Sequence, residues 1–411
     1  MTDYSSTRFI NDSRLGVDMR LLGLLAVLLM FGLLMVYSST IANSDKSLQP
    51  ETGLFFRQLL HVCTGLIFMV MTALTPIDLW ERFGKWILLA TIIVLAFLVI
   101  PGVGHEVNGS KRWIGVAGFR FQPAEFAKLV VVIYIAGYLT RMRTRLESFS
   151  HGVVMIGIVM SLIGLLLLAQ PDFGSFVVIT ITVGVMMFLG GVRIWHMLLC
   201  VSATACAFTL MVVMAPYRMA RVLSFTDPFA DPFNSGFQLV QALIAVGRGE
   251  LFGVGLGGSI QKLYYLPHAN NDFILAIIGE ELGFLGISFV VFLFGPLLWF
   301  ALQTGRLAAQ AGYLFAARLA EGVGALLVVQ ALINIGVNLG VLPTKGLTLP
   351  FISYGGSSML MCCTAIGLLL AVQRQCLYVD LPVKITNTKL KRPVRVSRVK
   401  DVQRRLSRGV V

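Results

Sequence analysis

What this chain can fold into is constrained most by its long apolar stretches, separated by short polar segments. Each is near the roughly twenty residues that an α-helix needs to cross a bilayer. In lipid every backbone polar group must be satisfied internally, so only helices and closed barrels span. The stretches lack the two-residue alternation of barrel strands. They predict an all-α polytopic membrane protein with about ten transmembrane helices. The expected spans are 21–36, 55–74, 83–100, 124–139, 152–169, 174–190, 196–215, 273–300, 319–341 and 356–372. Charged residues make up 13% of the chain, about half the fraction of a soluble domain. Residues 1–20 carry no cleavable signal pattern, because the first apolar run is too long and lacks a small-residue cleavage site.

Charge orients the spans. Of 33 Lys and Arg, 22 fall in segments that are internal if the N-terminus is internal. The positive-inside rule then predicts both termini cytoplasmic and one large extracytoplasmic loop, 216–272, between spans 7 and 8. The expected organisation is a cytoplasmic tail (1–20), a membrane domain (21–373) and a basic cytoplasmic tail (374–411). That tail holds most of the formal +13 charge. It lacks interleaved aromatics, so it reads as an orientation signal contacting anionic lipid or a partner, and not as a nucleic-acid arm. The six cysteines lie in or beside apolar runs and the five histidines show no ligand spacing, so neither disulfides nor a dedicated metal site is expected.

The stretch 262–283, KLYYLPHANNDFILAIIGEELG, joins a polar loop to an apolar helix, with Asp272 at the membrane mouth. Two readings fit Asp272: an N-cap for the helix starting at Phe273, or a carboxylate with chemistry to perform. Glu280 and Glu281 lie within the same span, as functional acids or as one side of a buried ion pair for which Lys128 is a candidate partner. Glu125 and Lys128 follow Pro123 at a spacing of three, as a helix N-terminus and local pair would. In the segment 342–358, LPTKGLTLPFISYGGSS, Lys345 is a lone outer cation suited to a phosphate. Residues 237–246 suggest an amphipathic helix on the membrane face, and 108–122 mixes cations with aromatics as the headgroup zone favours. Gly253, Gly255 and Gly258 spell GxGxxG without a preceding strand, which reduces them to loop geometry. Ser259 and Lys262 spell SxxK without its companion motifs, which points to chance.

Five ordered motifs then carry a resemblance: QPAEFAKL, FTDPFADPFNSGFQLVQ, GLGGSIQKLYYLP, the DF…EELG run and LPTKGLTLPFISYGGSS. Together they resemble the SEDS family (shape, elongation, division and sporulation), over nearly the whole chain from the first span to Arg374. PTKGLTLP and the basic tail are more similar to its division branch than to its elongation branch. The resemblance implies a peptidoglycan glycosyltransferase that polymerises lipid II at the outer face of the cytoplasmic membrane, at the division septum. Undecaprenyl diphosphate is released, and a class B penicillin-binding transpeptidase and other division-complex membrane proteins are the implied partners. The family's catalytic acid falls on Asp272. One departure stands beside it: the family's usual PExHTDF reads PHANNDF here, with His268, Asn270 and Asn271 at the changed positions.

The implied reaction converts an α-linked diphosphate donor into a β-1,4 linkage, so the anomeric carbon inverts. One base must deprotonate the attacking hydroxyl, and diphosphate leaves without a protonating acid, so a single carboxylate suffices. Cations must receive the departing charge: Lys345 first, then Arg218, Arg221, Lys262, Lys111 and Arg112. Supporting roles fall to Glu280, Glu125, Lys128, Gln238 and Gln241. No cofactor is required by the chemistry, although a divalent cation, Mg or Mn, could assist. Two competing readings are a lipid II flippase, drawing on Glu125, Lys128, Glu280 and Glu281, and a division scaffold recruiting through the tail.

Overall fold

The computed structural model describes residues 17–40, 52–100, 105–107, 110–116, 119–214, 225, 227–232, 236–263, 265–267, 269–343 and 346–380. The expectations for Arg218, Arg221, His268 and Lys345 lie outside the described residues, as do those for the side chains of Lys111 and Arg112.

Among the described residues, nine helices are long and apolar enough to cross a membrane. They are α1 (Met19–Thr40), α2 (Thr52–Leu74), α3 (Ile77–Val99), α4 (Pro123–Arg141), α5 (Met155–Ala169, entered through a π-turn), α6 (Phe173–Gly190), α9 (Ile274–Gln310), α10 (Leu314–Asn338) and α11 (Gly356–Asp380). α7 (Ile194–Val213) supplies a tenth, shorter in its apolar part. α8 (Phe237–Gly249) lies in the large loop. A small antiparallel sheet, β1 (His105–Val107), β2 (Ser110–Val116) and β3 (Phe119–Phe121), occupies the segment expected at the headgroups. Its β2 and β3 pair Ile114 with Phe121 and Val116 with Phe119, residues that favour a pleated surface.

α4 is buried almost all round, between α3, α6 and α10. That central position places Glu125 and Lys128 in the protein interior, away from lipid. Pro123 opens α4 at its first turn, where the missing N–H is harmless. α11 packs along α2, and α10 along α9 and α4. α8 buries Leu239, Val240, Ala242, Ala245 and Gly249 against α9, so it is docked on the bundle through the apolar face its spacing predicts.

α9 is 37 residues long, about 55 Å if straight, and it breaks. Gly283 takes φ 67°, ψ −160°, a conformation outside the range of L side chains. The break would orphan backbone groups at membrane depth, and residues 250–255 satisfy them. Val254 and Gly255 N–H donate to the Glu280 and Glu281 carbonyls at 3.0 Å each, and Phe284 and Leu285 N–H donate to the Glu250 and Leu251 carbonyls at 2.8 and 3.2 Å. Gly253 and Gly255, two of the three glycines that mimic a nucleotide fingerprint, therefore serve this insertion. A Cβ on Gly253, itself at φ +80°, would collide with the Glu281 carbonyl, whereas Gly257 at φ +81° faces open space. Gly253→Ala is expected to destabilise by about 2–4 kcal/mol, from overpacking plus left-handed strain. Gly257→Ala meets only the strain and loses about 1–2 kcal/mol. Thermal midpoints of the two detergent-solubilised variants test the ordering.

Candidate active site

Asp272 lies in the turn just before α9, partly buried, at the end of the bundle that the charge count places outside. Phe273, one residue on, holds the N-cap position of α9. α9 begins at Ile274 with no cap from its own N-cap position, and the first-turn N–H of Ala276 is taken instead by Asn338 Oδ1 at 3.1 Å. The Asp272 backbone carbonyl accepts from Asn334 Nδ2 and Asn338 Nδ2, both at 2.9 Å. The preceding turn is held by its backbone: Asn270 O accepts from Tyr354 N at 2.9 Å, and Asn271 O from Ser353 Oγ at 2.6 Å. Because main-chain carbonyls make these contacts, the turn tolerates the side-chain changes at 270 and 271.

The segment 346–355 faces Asp272. A Cβ built on Gly346 would sit 3.3 Å from Asp272 Oδ2, so the carboxylate lies against the residue following Lys345. Leu347 O accepts from Asn334 Nδ2 at 2.5 Å and Thr348 O from Gln330 Nε2 at 3.0 Å. Gln58 of α2 supports the same segment, donating to Ser353 O at 3.2 Å and accepting from Gly355 N at 3.4 Å. Gly346→Ala leaves backbone geometry unstrained but crowds the carboxylate by a few tenths of an ångström. With Asp272 as the reacting carboxylate, a several-fold fall in kcat with an unchanged thermal midpoint is the expected result, since small misplacements of reacting groups carry large rate penalties.

The remaining expected site residues divide by position. Lys128 Nζ donates to Glu125 Oε1 at 2.8 Å and Gln330 Oε1 at 2.7 Å, and is fully buried. It therefore does not partner Glu280 or Glu281. Those two are ion-paired, but with loop cations. Glu280 accepts from Arg248 at 2.7 Å, from Ser259 Oγ and from Ile260 N–H at 3.1 Å. Glu281 accepts from Lys262 Nζ at 2.8 Å and from Ser38 Oγ. The side chain of Lys262 is 4% exposed and also donates to Ser38 O at 3.1 Å, which commits it to this clasp and removes it from the open site. The SxxK pair divides likewise: Ser259 turns to Glu280, Lys262 to Glu281. Gln238 and Gln241 are half-buried on α8.

Sequence reasoning missed the three amides Gln330, Asn334 and Asn338. Their spacing of four in an apolar helix was the readable signal, since it stacks them on one face. A second polar group joins the outer helix ends: Asp172 caps α6 through Ser175 N at 3.1 Å and accepts from Gln122 Nε2 at 3.2 Å, while Gln122 N donates to Ser357 Oγ at 2.9 Å. Among the described residues no three His, Cys, Asp or Glu side chains converge as a metal site would require.

Known proteins share this architecture and sequence. The chain is 46% identical over 361 residues to the probable peptidoglycan glycosyltransferase FtsW of Thioalkalivibrio sulfidiphilus, covering 88% of this chain and 89% of that one. It is 45% identical over 369 residues to the protein of the same description in Nitrosococcus halophilus, covering 90% and 95%. A chain from a solved structure described as structural coordination of polymerization and crosslinking by a peptidoglycan synthase complex superposes with a TM-score of 0.73 at 27% identity, covering 88% of this chain and 98% of that one. The rod shape determining protein RodA of Thermus thermophilus gives 0.63 at 26%, with coverage of 88% and 98%. The family model for FtsW, RodA and SpoVE, described as cell cycle protein, matches residues 19–377. With the ten-helix bundle and the motif-bearing turns around Asp272 in place, this chain belongs to the FtsW/RodA/SpoVE family of cell cycle proteins.

Proposed function

We propose that this protein is a peptidoglycan glycosyltransferase of the septal type, polymerising lipid II at the outer face of the cytoplasmic membrane. The observation that carries the site assignment is the placement of Asp272: a carboxylate against Gly346, on a turn fixed by two buried asparagines. In this reading Asp272 accepts the proton of the acceptor 4-hydroxyl as that oxygen attacks the anomeric carbon of the donor. The bond to diphosphate breaks on the opposite face, which inverts the centre and releases undecaprenyl diphosphate. Lys345, next to Gly346 in sequence, is the first candidate to receive the diphosphate charge, with Arg218, Arg221, Lys111 and Arg112 behind it. Lys262 is left out, because Glu281 holds it.

A class B penicillin-binding transpeptidase as working partner is supported by the similarity to a chain of a peptidoglycan synthase complex. Division-complex membrane proteins, and anionic lipid at the basic tail, are further proposed contacts. The test is reconstitution of the full chain in proteoliposomes with labelled lipid II. A polymer ladder is the expected product, and translocation of label without polymer would overturn the proposal in favour of transport.

A further inference from the structure

We propose that Asn334 is a positioning residue for the transfer, setting the distance between the backbone that carries Asp272 and the segment that carries Gly346. This rests on the assignment of Asp272 as the base. The argument starts from a hydrogen inventory: a side-chain amide offers two N–H donors. Asn334 Nδ2 reaches Asp272 O at 2.9 Å and Leu347 O at 2.5 Å, one carbonyl on each side of the site. The residue is 1% exposed, so neither bond competes with solvent.

Its neighbours on the same face do different work. One turn further along, Asn338 bonds the same Asp272 carbonyl and caps α9 through Ala276 N, but has no bond to the 346–349 segment. One turn back, Gln330 holds Thr348 O and is itself held by Lys128, but has no bond to the Asp272 arm. Successive amides on this face are about 6 Å apart along the axis, and Asn334 is the one whose donors straddle both segments. Two protein segments that share a single donor group keep a fixed spacing. Without it, each is still anchored to α10, Asp272 by Asn338 and the 346–349 segment by Gln330, but at different turns. Ser353 and Tyr354 still tie their end of the segment to Asn271 and Asn270, but the tie at Asp272 and Leu347 themselves is gone, and the spacing of the carboxylate from the residue after Lys345 loosens. Reacting groups held in near-attack geometry lose about a hundredfold in rate for misplacement on the order of 1 Å.

The test compares donor count with stability, using the full chain in proteoliposomes and fluorescent lipid II. Asn334→Ser keeps one donor and Asn334→Leu keeps none, so kcat should fall about tenfold and about a hundredfold, with KM for lipid II within about threefold of wild type. Rates are normalised to the folded, monodisperse fraction. Asn338→Leu removes the α9 cap and should lower the thermal midpoint at least as far as Asn334→Leu, yet lower kcat less than about fivefold. If Asn334→Leu fails to fold, the serine variant decides. A serine variant within about twofold of wild-type kcat, or kcat losses that simply follow thermal midpoint across both positions, would overturn the proposal. Asp272→Asn run in parallel separates the two ideas. An active Asp272→Asn defeats the base assignment itself. An inactive one, beside fully active Asn334 variants, defeats only the positioning role.

Discussion

Asp272→Asn is expected to leave the protein inserted and monodisperse while lowering polymerisation of lipid II by about 10²–10⁴-fold, the contribution of a positioned general base. The substitution is close to isosteric and spares the backbone carbonyl that Asn334 and Asn338 bind. The turn and the start of α9 should therefore keep their geometry, and the thermal midpoint should hold. What is lost is the basic oxygen: an amide has no proton affinity near neutral pH. Quantifying glycan ladders from purified wild-type and variant protein at matched folded concentration checks the claim. Ladders of equal intensity from both would mean that another group takes the proton.

Lys262→Met is expected to have the largest effect on stability, about 3–5 kcal/mol, because it strands a buried carboxylate without its cation. Glu281 is fully buried and its charge is matched by Lys262 at 2.8 Å. The Ser38 hydroxyl alone cannot neutralise it. Replacing both partners, as Lys262→Met with Glu281→Leu, should recover most of the loss, since a buried ion pair often breaks even against apolar residues of similar volume. Fluorescence-detected thermal unfolding of the single and double variants measures this. The result also separates roles for Lys262. A diphosphate-binding lysine would lose activity with little change in midpoint, and the double variant would stay inactive. A clasp lysine loses stability first, and the double variant regains both.

The spans were legible because membrane thickness fixes the length of an apolar helix, and ten runs of that length stand out in the sequence. Asp272 was legible because a charge at the mouth of such a run calls for an explanation. The interior of the fold was much less so. Residues 273–300 form one unbroken apolar run, so nothing local announces the break at Gly283 or the insertion of 250–255 into it. Glu280 and Glu281 were recognisable as acids needing cations, but Arg248 and Lys262 reach them only after the loop folds back on the helix. Lys128 was the nearer guess and was already taken by Glu125 and Gln330. The amides at 330, 334 and 338 were overlooked because each is unremarkable alone and their meaning lies in shared facing.

The amide face of α10 also bears on how the protein is made. A helix emerging into the bilayer with Gln330, Asn334 and Asn338 along one side carries polar groups that lipid cannot satisfy. Their partners are the Asp272 carbonyl, synthesised earlier, and Leu347 and Thr348, synthesised later. α10 on its own is therefore a reluctant inserter. Its amide face finds all of its partners only once residues 347 and 348 have been made, so the turn that carries Asp272 is expected to lock late in biogenesis, with the arrival of the last helix.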